Sequence, residues 1–180
     1  QKDESILIDN IEKQKHECKF IIAPHDIQEG HIEEIQQHLN IETVRFSEIN
    51  NWTENDLQEA KVLIIDNIGM LSSLYKYGDL AYIGGGFGSG IHNILEPAAF
   101  KLPIIFGPKF NKFIEANELV EKGGAFTIQN LNDFEKTFET LRIDSIRKKA
   151  SEIVANYIVE NGGATQKIIN HLSPYLIRAN

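Results

Sequence analysis

The feature that most constrains this chain is an alternation. Short runs that are apolar throughout recur along it: Cys18 to Ala23 (CKFIIA), Thr43 to Phe46 (TVRF), Lys61 to Asp66 (KVLIID), Leu80 to Gly84 (LAYIG), Pro103 to Phe106 (PIIF) and Ala125 to Ile128. Between most of them lie stretches of about ten residues with helical spacing. These are Gln28 to Leu39, with Ile32, Ile35 and Leu39 on one face; Ile68 to Tyr77, stopped by Gly78; Asn93 to Phe100; and Phe110 to Lys122, ended by Gly123-Gly124. From about Asn132 to Ile177 the pattern is helical, with an interruption near Gly162-Gly163. Strands without polar alternation are buried on both faces, and helical crossovers join parallel neighbours. The sequence therefore predicts a single Rossmann-like α/β domain over residues 1–180, with a parallel sheet of about six strands and helices on both faces.

In such a sheet, ligands bind outside the carboxyl ends of the strands, near the point where strand order reverses. That leaves four candidate stretches: Pro24-His25-Asp26, Asn67 to Met70, Gly84 to Glu96, and Gly107 to Asn111. Composition narrows the function classes further. Hydrophobic residues make up 42% and charged residues 24%, enough for a packed core. Eighteen basic against 26 acidic residues give a net charge of −8, which disfavours sequence-independent nucleic-acid binding. The longest apolar runs, Val62 to Ile65 and Leu102 to Phe106, fall far short of the ~20 residues that span a bilayer. The start, Gln1-Lys2-Asp3-Glu4, has neither signal-peptide character nor an initiator Met, as expected of a mature product or a piece of a longer protein.

Several groups carry no chemistry on this reading. Cys18 is the sole cysteine, so no internal disulfide forms, and no nucleophilic role is expected of it. His25, His31 and His38 lack acidic or thiol partners at ligand spacing, so no metal is expected. Gly88-Ser89-Gly90 lacks the spacing of a nucleophile elbow. Ile146 to Lys149 reads as a solvated helix face.

The informative stretch is Gly84 to Pro108, GGGFGSGIHNILEPAAFKLPIIFGP. Five glycines in seven residues (Gly84, Gly85, Gly86, Gly88 and Gly90) follow a strand and precede a helix. Glycine permits positive φ and close approach of backbone N–H groups to a ligand. The helix is expected to begin near His92-Asn93, where its free N–H groups favour a phosphate. Neither G-x-G-x-x-G nor a Walker A loop is present, which argues against a dinucleotide or a nucleoside triphosphate. Glu96 lies in the first turn of that helix. Its carboxylate is suited either to two neighbouring ribose hydroxyls or to plain capping of the helix start. His92 admits similar alternatives, a ligand contact or a hydrogen-bonded shaper of the loop.

The run His92-Asn93-Ile94-Leu95-Glu96-Pro97-Ala98, followed by Pro103 and Gly107-Pro108, resembles the 3-deoxy-D-manno-octulosonic acid (Kdo) transferases of lipopolysaccharide assembly. Other segments resemble that family in the same order. They are Ile22-Ala23-Pro24-His25, Asp66 to Leu71, Leu74-Tyr75 through Ala81 to Gly85, and Gly162 to Thr165, so that the resemblance covers about Phe20 to Leu172.

The resemblance implies the C-terminal, donor-binding half of a two-domain, inverting, metal-independent GT-B glycosyltransferase. Its donor would be CMP-Kdo and its acceptor a lipid A precursor, at the cytoplasmic face of the bacterial inner membrane. The acceptor site, the membrane association and the catalytic glutamate would lie in an N-terminal half. This chain would then be a soluble piece with no catalytic residue and no cofactor. Pro24 and His25 would touch the nucleotide. Ile68, Gly69 and Met70 would flank the cytosine, while Gly85 and Gly86 would lie in the donor loop. His92, Asn93, Ile94, Leu95 and Glu96 would hold phosphate and ribose. Three positions depart from the family pattern: His25 stands for an Arg, Met70 for a Glu, and Lys109 for a His, leaving His25 or Lys109 to supply the phosphate charge. Two other readings are a GT-B enzyme using a UDP-sugar and a nucleotide-binding module without chemistry.

Overall fold

A computed structural model describes residues 2–14, 18–163 and 168–173. The elements run α1 Lys2–Gln14, β1 Phe20–Ile22, α2 Glu29–His38, β2 Thr43–Arg45, α3 Glu54–Glu59, β3 Val62–Ile64, α4 Leu71–Leu74, β4 Ala81–Ile83, α5 Leu95–Ala99, β5 Ile104–Phe106, α6 Ile114–Lys122, β6 Ala125–Thr127, α7 Leu131–Arg142 and α8 Asp144–Asn161. Short 3-10 turns cover Phe46–Asn51 and Tyr75–Tyr77. The resemblance at Ala164-Thr165 and the end of the last expected helix lie outside the described residues.

All six expected strands are present and every pairing is parallel, but they form two ladders of three. The first has the order β1-β3-β2 and the second β4-β5-β6. The central strands are the ones with the most apolar sequences. Ile104, Ile105 and Phe106 of β5 are fully buried, as are Val62 and Ile64 of β3. Each such side chain is worth about 1.5–3 kcal/mol on burial. One six-stranded sheet was expected. No ladder joins the two, and side chains of β1 and β4 make the join instead. Phe20 of β1 packs in one apolar cluster with Leu80 and Tyr82.

Helix α1 spans this seam. Its Ile6 packs with Ile105, Phe134 and Phe138 behind the second sheet, and its Ile11 with Ile32, Val62 and Ile64 behind the first. At its start the buried Asp3 accepts a 2.8 Å hydrogen bond from the Tyr82 hydroxyl and a longer one, 3.4 Å, from the Phe87 amide. Burial, together with Asp3, pushes the Tyr82 phenol far above its ordinary pKa, so the hydroxyl stays protonated as a donor. The sequence pattern had left residues 1–17 without an element, because polar positions outnumber the buried ones on this helix.

Other boundaries shift for local reasons. The helix expected from Ile68 begins at Leu71, because Gly69 takes φ +96° and bends the chain. The helix expected from Phe110 begins at Ile114, after a turn in which Phe113 N–H bonds Phe110 O. It ends as expected at Gly123, which adopts φ +85°. The long C-terminal helix is broken at Ile143, which takes an extended conformation between α7 and α8. Strand β1 starts at Phe20 rather than Cys18.

Replacing Asp3 by Ala orphans the Tyr82 hydroxyl at the seam. Unfolding in urea should show a loss of about 1–3 kcal/mol. Tyr82→Phe keeps the ring but leaves the buried Asp3 carboxylate with only the long Phe87 amide bond, so it should cost at least as much.

Candidate functional site

The parallel strands bring the four candidate stretches to one end of the molecule. Pro24 and His25 follow β1, Asn67 to Met70 follow β3, Gly84 to Asn93 follow β4, and Gly107 to Lys109 follow β5. Together they form an open shelf across the seam. The loops meet at two histidines: the His25 and His92 rings stack with centroids 5.2 Å apart and planes 14° from parallel. The sequence had singled out both residues, but not their contact, which joins the two sheets.

The glycine-rich turn is folded on itself. Gly88 and Gly90 N–H groups both bond Gly85 O, at 2.9 and 3.1 Å, and His92 N–H bonds Gly84 O. Gly85 takes φ +87°. Gly86 is pressed against the next loop: a Cβ there would lie 2.5 Å from the Gly107 nitrogen. Lys109 N–H bonds Gly86 O at 2.9 Å, and the Lys109 ammonium bonds Gly88 O at 2.7 Å. Gly85, Gly86 and Lys109 thus shape the shelf, and Lys109 is an exposed residue whose ammonium is tied to the turn.

The helix that follows is shorter than expected. His92 and Asn93 lie in the loop, Ile94 is the buried residue that caps α5, and the helix has five residues from Leu95. The reason is Asn93, whose Oδ1 accepts from Leu95 N–H at 3.0 Å. That bond takes one of the N–H groups expected to meet a phosphate. The Asn93 amide donates to Glu96 Oε1 at 3.0 Å. Among the described residues no backbone N–H donates to the Glu96 carboxylate, although it stands in the first turn of α5. Tyr75, which sequence reasoning did not select, stands near it. Burial and the Glu96 charge push the Tyr75 phenol up to about 12. Its ring also lies 6.2 Å from that of Phe100. The Leu74-Tyr75 pair within the family resemblance was the available signal.

Opposite α5, Ile68 is 88% exposed on the loop after β3 and Gly69 is open. The Met70 sulfur accepts from the Asn67 amide at 3.1 Å. This loop is anchored by Asp66, whose buried carboxylate takes Ser47 N–H at 2.9 Å, Ser47 Oγ at 2.5 Å and Arg45 Nε at 3.0 Å. Burial works to raise the Asp66 pKa, and the bonds from Ser47 and Arg45 outweigh it, leaving the group below the usual aspartate range. Arg45 also grips Glu29 with two nitrogens. That guanidinium is therefore committed to two carboxylates.

No group of three or more metal-ligating side chains occurs among the described residues. No helix among them is long and apolar enough to cross a membrane. A shallow concavity of about 420 Å³, lined by Glu118, Tyr157 and Glu160 among others, lies between α6 and α8. It sits toward the C-terminal end of α6, at the opposite edge of the sheets, and its Tyr157 hydroxyl is bonded to Glu118 at 2.6 Å.

The architecture is that of a Rossmann-like α/β domain with its candidate residues at the strand ends. Two solved structures share the fold. One is the C-terminal CMP-Kdo binding domain of WaaA from Acinetobacter baumannii, with TM-score 0.65 and 20% identity, covering 86% of this chain and 83% of that one. The other is the C-terminal domain of a group 1 glycosyl transferase, LpcC, from Francisella tularensis, with TM-score 0.53, 14% identity, and coverage of 88% and 77%. In sequence, the chain is 30% identical to the 3-deoxy-D-manno-octulosonic acid transferase of Aquifex aeolicus over 155 residues, 82% of this chain and 41% of that protein. It is 34% identical to the Haemophilus influenzae enzyme over 125 residues, 67% of this chain and 29% of that protein. A bifunctional glycosyltransferase/methyltransferase of Fusobacterium nucleatum is 26% identical over 161 residues, 88% of this chain and 24% of that protein. No family model matches the chain. The chain belongs with the Kdo transferases and spans well under half the length of these relatives.

The glycines give a direct test of what shapes the shelf. Gly86→Ala should destabilise the fold by about 1–3 kcal/mol, because two backbones must separate. Gly88→Ala, whose Cβ would meet nothing nearer than 3.5 Å, should stay within about 0.5 kcal/mol of the parent. Thermal melts of both without ligand check this.

Proposed function

We propose that this chain is the donor-binding part of a Kdo transferase and that its shelf holds the CMP moiety of CMP-Kdo. The observation that carries this reading is the Glu96 carboxylate. It stands at the strand-end shelf, oriented by Asn93 and bonded to no backbone group among the described residues. The likeness to the CMP-Kdo binding domain of WaaA supports the same reading.

Each part of the shelf then has a task. Glu96 accepts hydrogen bonds from the ribose hydroxyls, which are charge-assisted and stronger than neutral ones. Ile68, Gly69 and Met70 flank the cytosine. Pro24, His25, His92 and Asn93 surround the phosphate, and Ile94 and Leu95 set the position of Glu96. A single phosphate suits this cation supply, since Arg45 is bound to Glu29 and Asp66 and Lys109 to a carbonyl. Transfer to a lipid A precursor needs an acceptor site and a base on a second domain. In GT-B enzymes the reaction awaits closure of both halves, so the isolated chain should bind donor and transfer nothing. The reaction needs no metal on this reading.

Calorimetric titration with CMP, UMP and UDP should give tightest binding for CMP. Glu96→Gln should weaken CMP by about 1–3 kcal/mol, roughly 5- to 150-fold, with the melting temperature of the unliganded chain hardly changed. The parent should bind 2′-deoxy-CMP less well than CMP, and the substitution should shrink that difference. Equal losses for both nucleotides would mean that Glu96 does not read the ribose. A preference for UDP would point to a different sugar nucleotide.

A further inference from the structure

The His25–His92 stack carries an inference about how the shelf responds to pH, and it rests on the nucleotide-binding reading above. Both rings are exposed, and among the described residues neither has a hydrogen-bond partner. They come from the two sheets and meet at the seam, at the carboxyl ends of β1 and β4. Their nitrogens are open to a ligand where the loops after β1 and β4 meet. A neutral imidazole presents one N–H donor, and a protonated one presents two with a positive charge. We propose that this pair is a proton-linked anion contact: donor binding takes up a proton on the His25–His92 stack, so affinity falls as pH rises through neutrality.

The surrounding groups leave this role to the histidines. Asp26, beside His25, accepts from Gln28 N–H at 2.9 Å. Glu96, four residues beyond His92, is held by Asn93, and the Tyr75 phenol next to it is pushed up to about 12. Across the glycine turn, the Lys109 ammonium is bonded to Gly88 O. At the end of β3, Asp66 is saturated by Ser47 and Arg45. Carboxylates, ammonium groups and phenols ordinarily change charge outside pH 6 to 8, whereas imidazole changes within it. His31, in the first turn of α2, also titrates, but it is paired with Glu4 of α1, which raises its pKa. A ligand that prefers the protonated pair must draw a proton from solvent when it binds, and by reciprocity bind better when the proton is already present.

The probe is the methyl ester of CMP, whose phosphodiester keeps one negative charge throughout. Cytidine is the uncharged control. Ester affinity should fall about tenfold from about pH 6 to about pH 8, and cytidine affinity should stay level. Titrations in buffers of different ionisation enthalpy should show net proton uptake with the ester alone. His25→Arg, which keeps a stacking plane and a permanent charge, should bind the ester with a flattened profile. His92→Gln should also reduce the slope, and circular dichroism should show both variants folded. Ester binding that is level across this range, or a slope unchanged in both variants, overturns the proposal while leaving the nucleotide site intact. No binding of ester or cytidine at any pH overturns the nucleotide reading and the proposal with it.

Discussion

No backbone ladder joins the two sheets, and the placement of the candidate binding residues relative to one another depends on how side chains of β1 and β4 hold them together. Phe20, Tyr82, Phe134 and Phe138 form a continuous aromatic contact, with Phe20 and Phe138 rings 6.4 Å apart and Tyr82 edge-on to Phe134 at 5.5 Å. Helix α1 crosses behind both sheets and fixes the β4 side through Asp3. Side-chain joins tolerate small displacements that a ladder would forbid. The His25–His92 stack, on the binding face of the same seam, would sense any such shift.

The second constraint is the backbone contact between the turns after β4 and β5. Gly86 and Gly107 are required by each other, since a side chain on either would meet the other's backbone at under 3 Å. Much of the glycine in this stretch therefore serves chain packing, and the N–H groups of Gly88 and Gly90 are spent inside the turn. What remains open to a ligand is narrower than the run of glycines suggests: the two imidazoles, the Asn93–Glu96 pair and the exposed Ile68.

The strands, the parallel sheets and the clustering of candidate residues were legible because apolar runs such as KVLIID and PIIF have few alternatives to a doubly covered strand. Helix α1 was hidden because its face is mixed: buried Asp3 and Asn10 stand where the pattern wanted apolar residues, beside Ile6 and Ile11. Helix α3 is a single polar turn whose start is set by a Thr53–Asp56 capping box, and no buried residue marks it. The start of α5 was misplaced because the Asn93 side chain imitates a turn of helix, a competition between side-chain and backbone bonding that spacing alone does not reveal. Glu96 and His92 were found from their position after a glycine turn. The pairing of His92 with His25 spans 67 positions of sequence, and only the fold brings them together.

Amide chemical shifts recorded while CMP is added test most directly whether the strand ends form one nucleotide site across both sheets. The account predicts that the largest changes fall together on His25, Gly69 and Met70, and Asn93 to Glu96, residues drawn from the first and the second sheet alike. Changes confined to one sheet's loops would contradict it, as would changes centred on Glu118 and Tyr157 between α6 and α8.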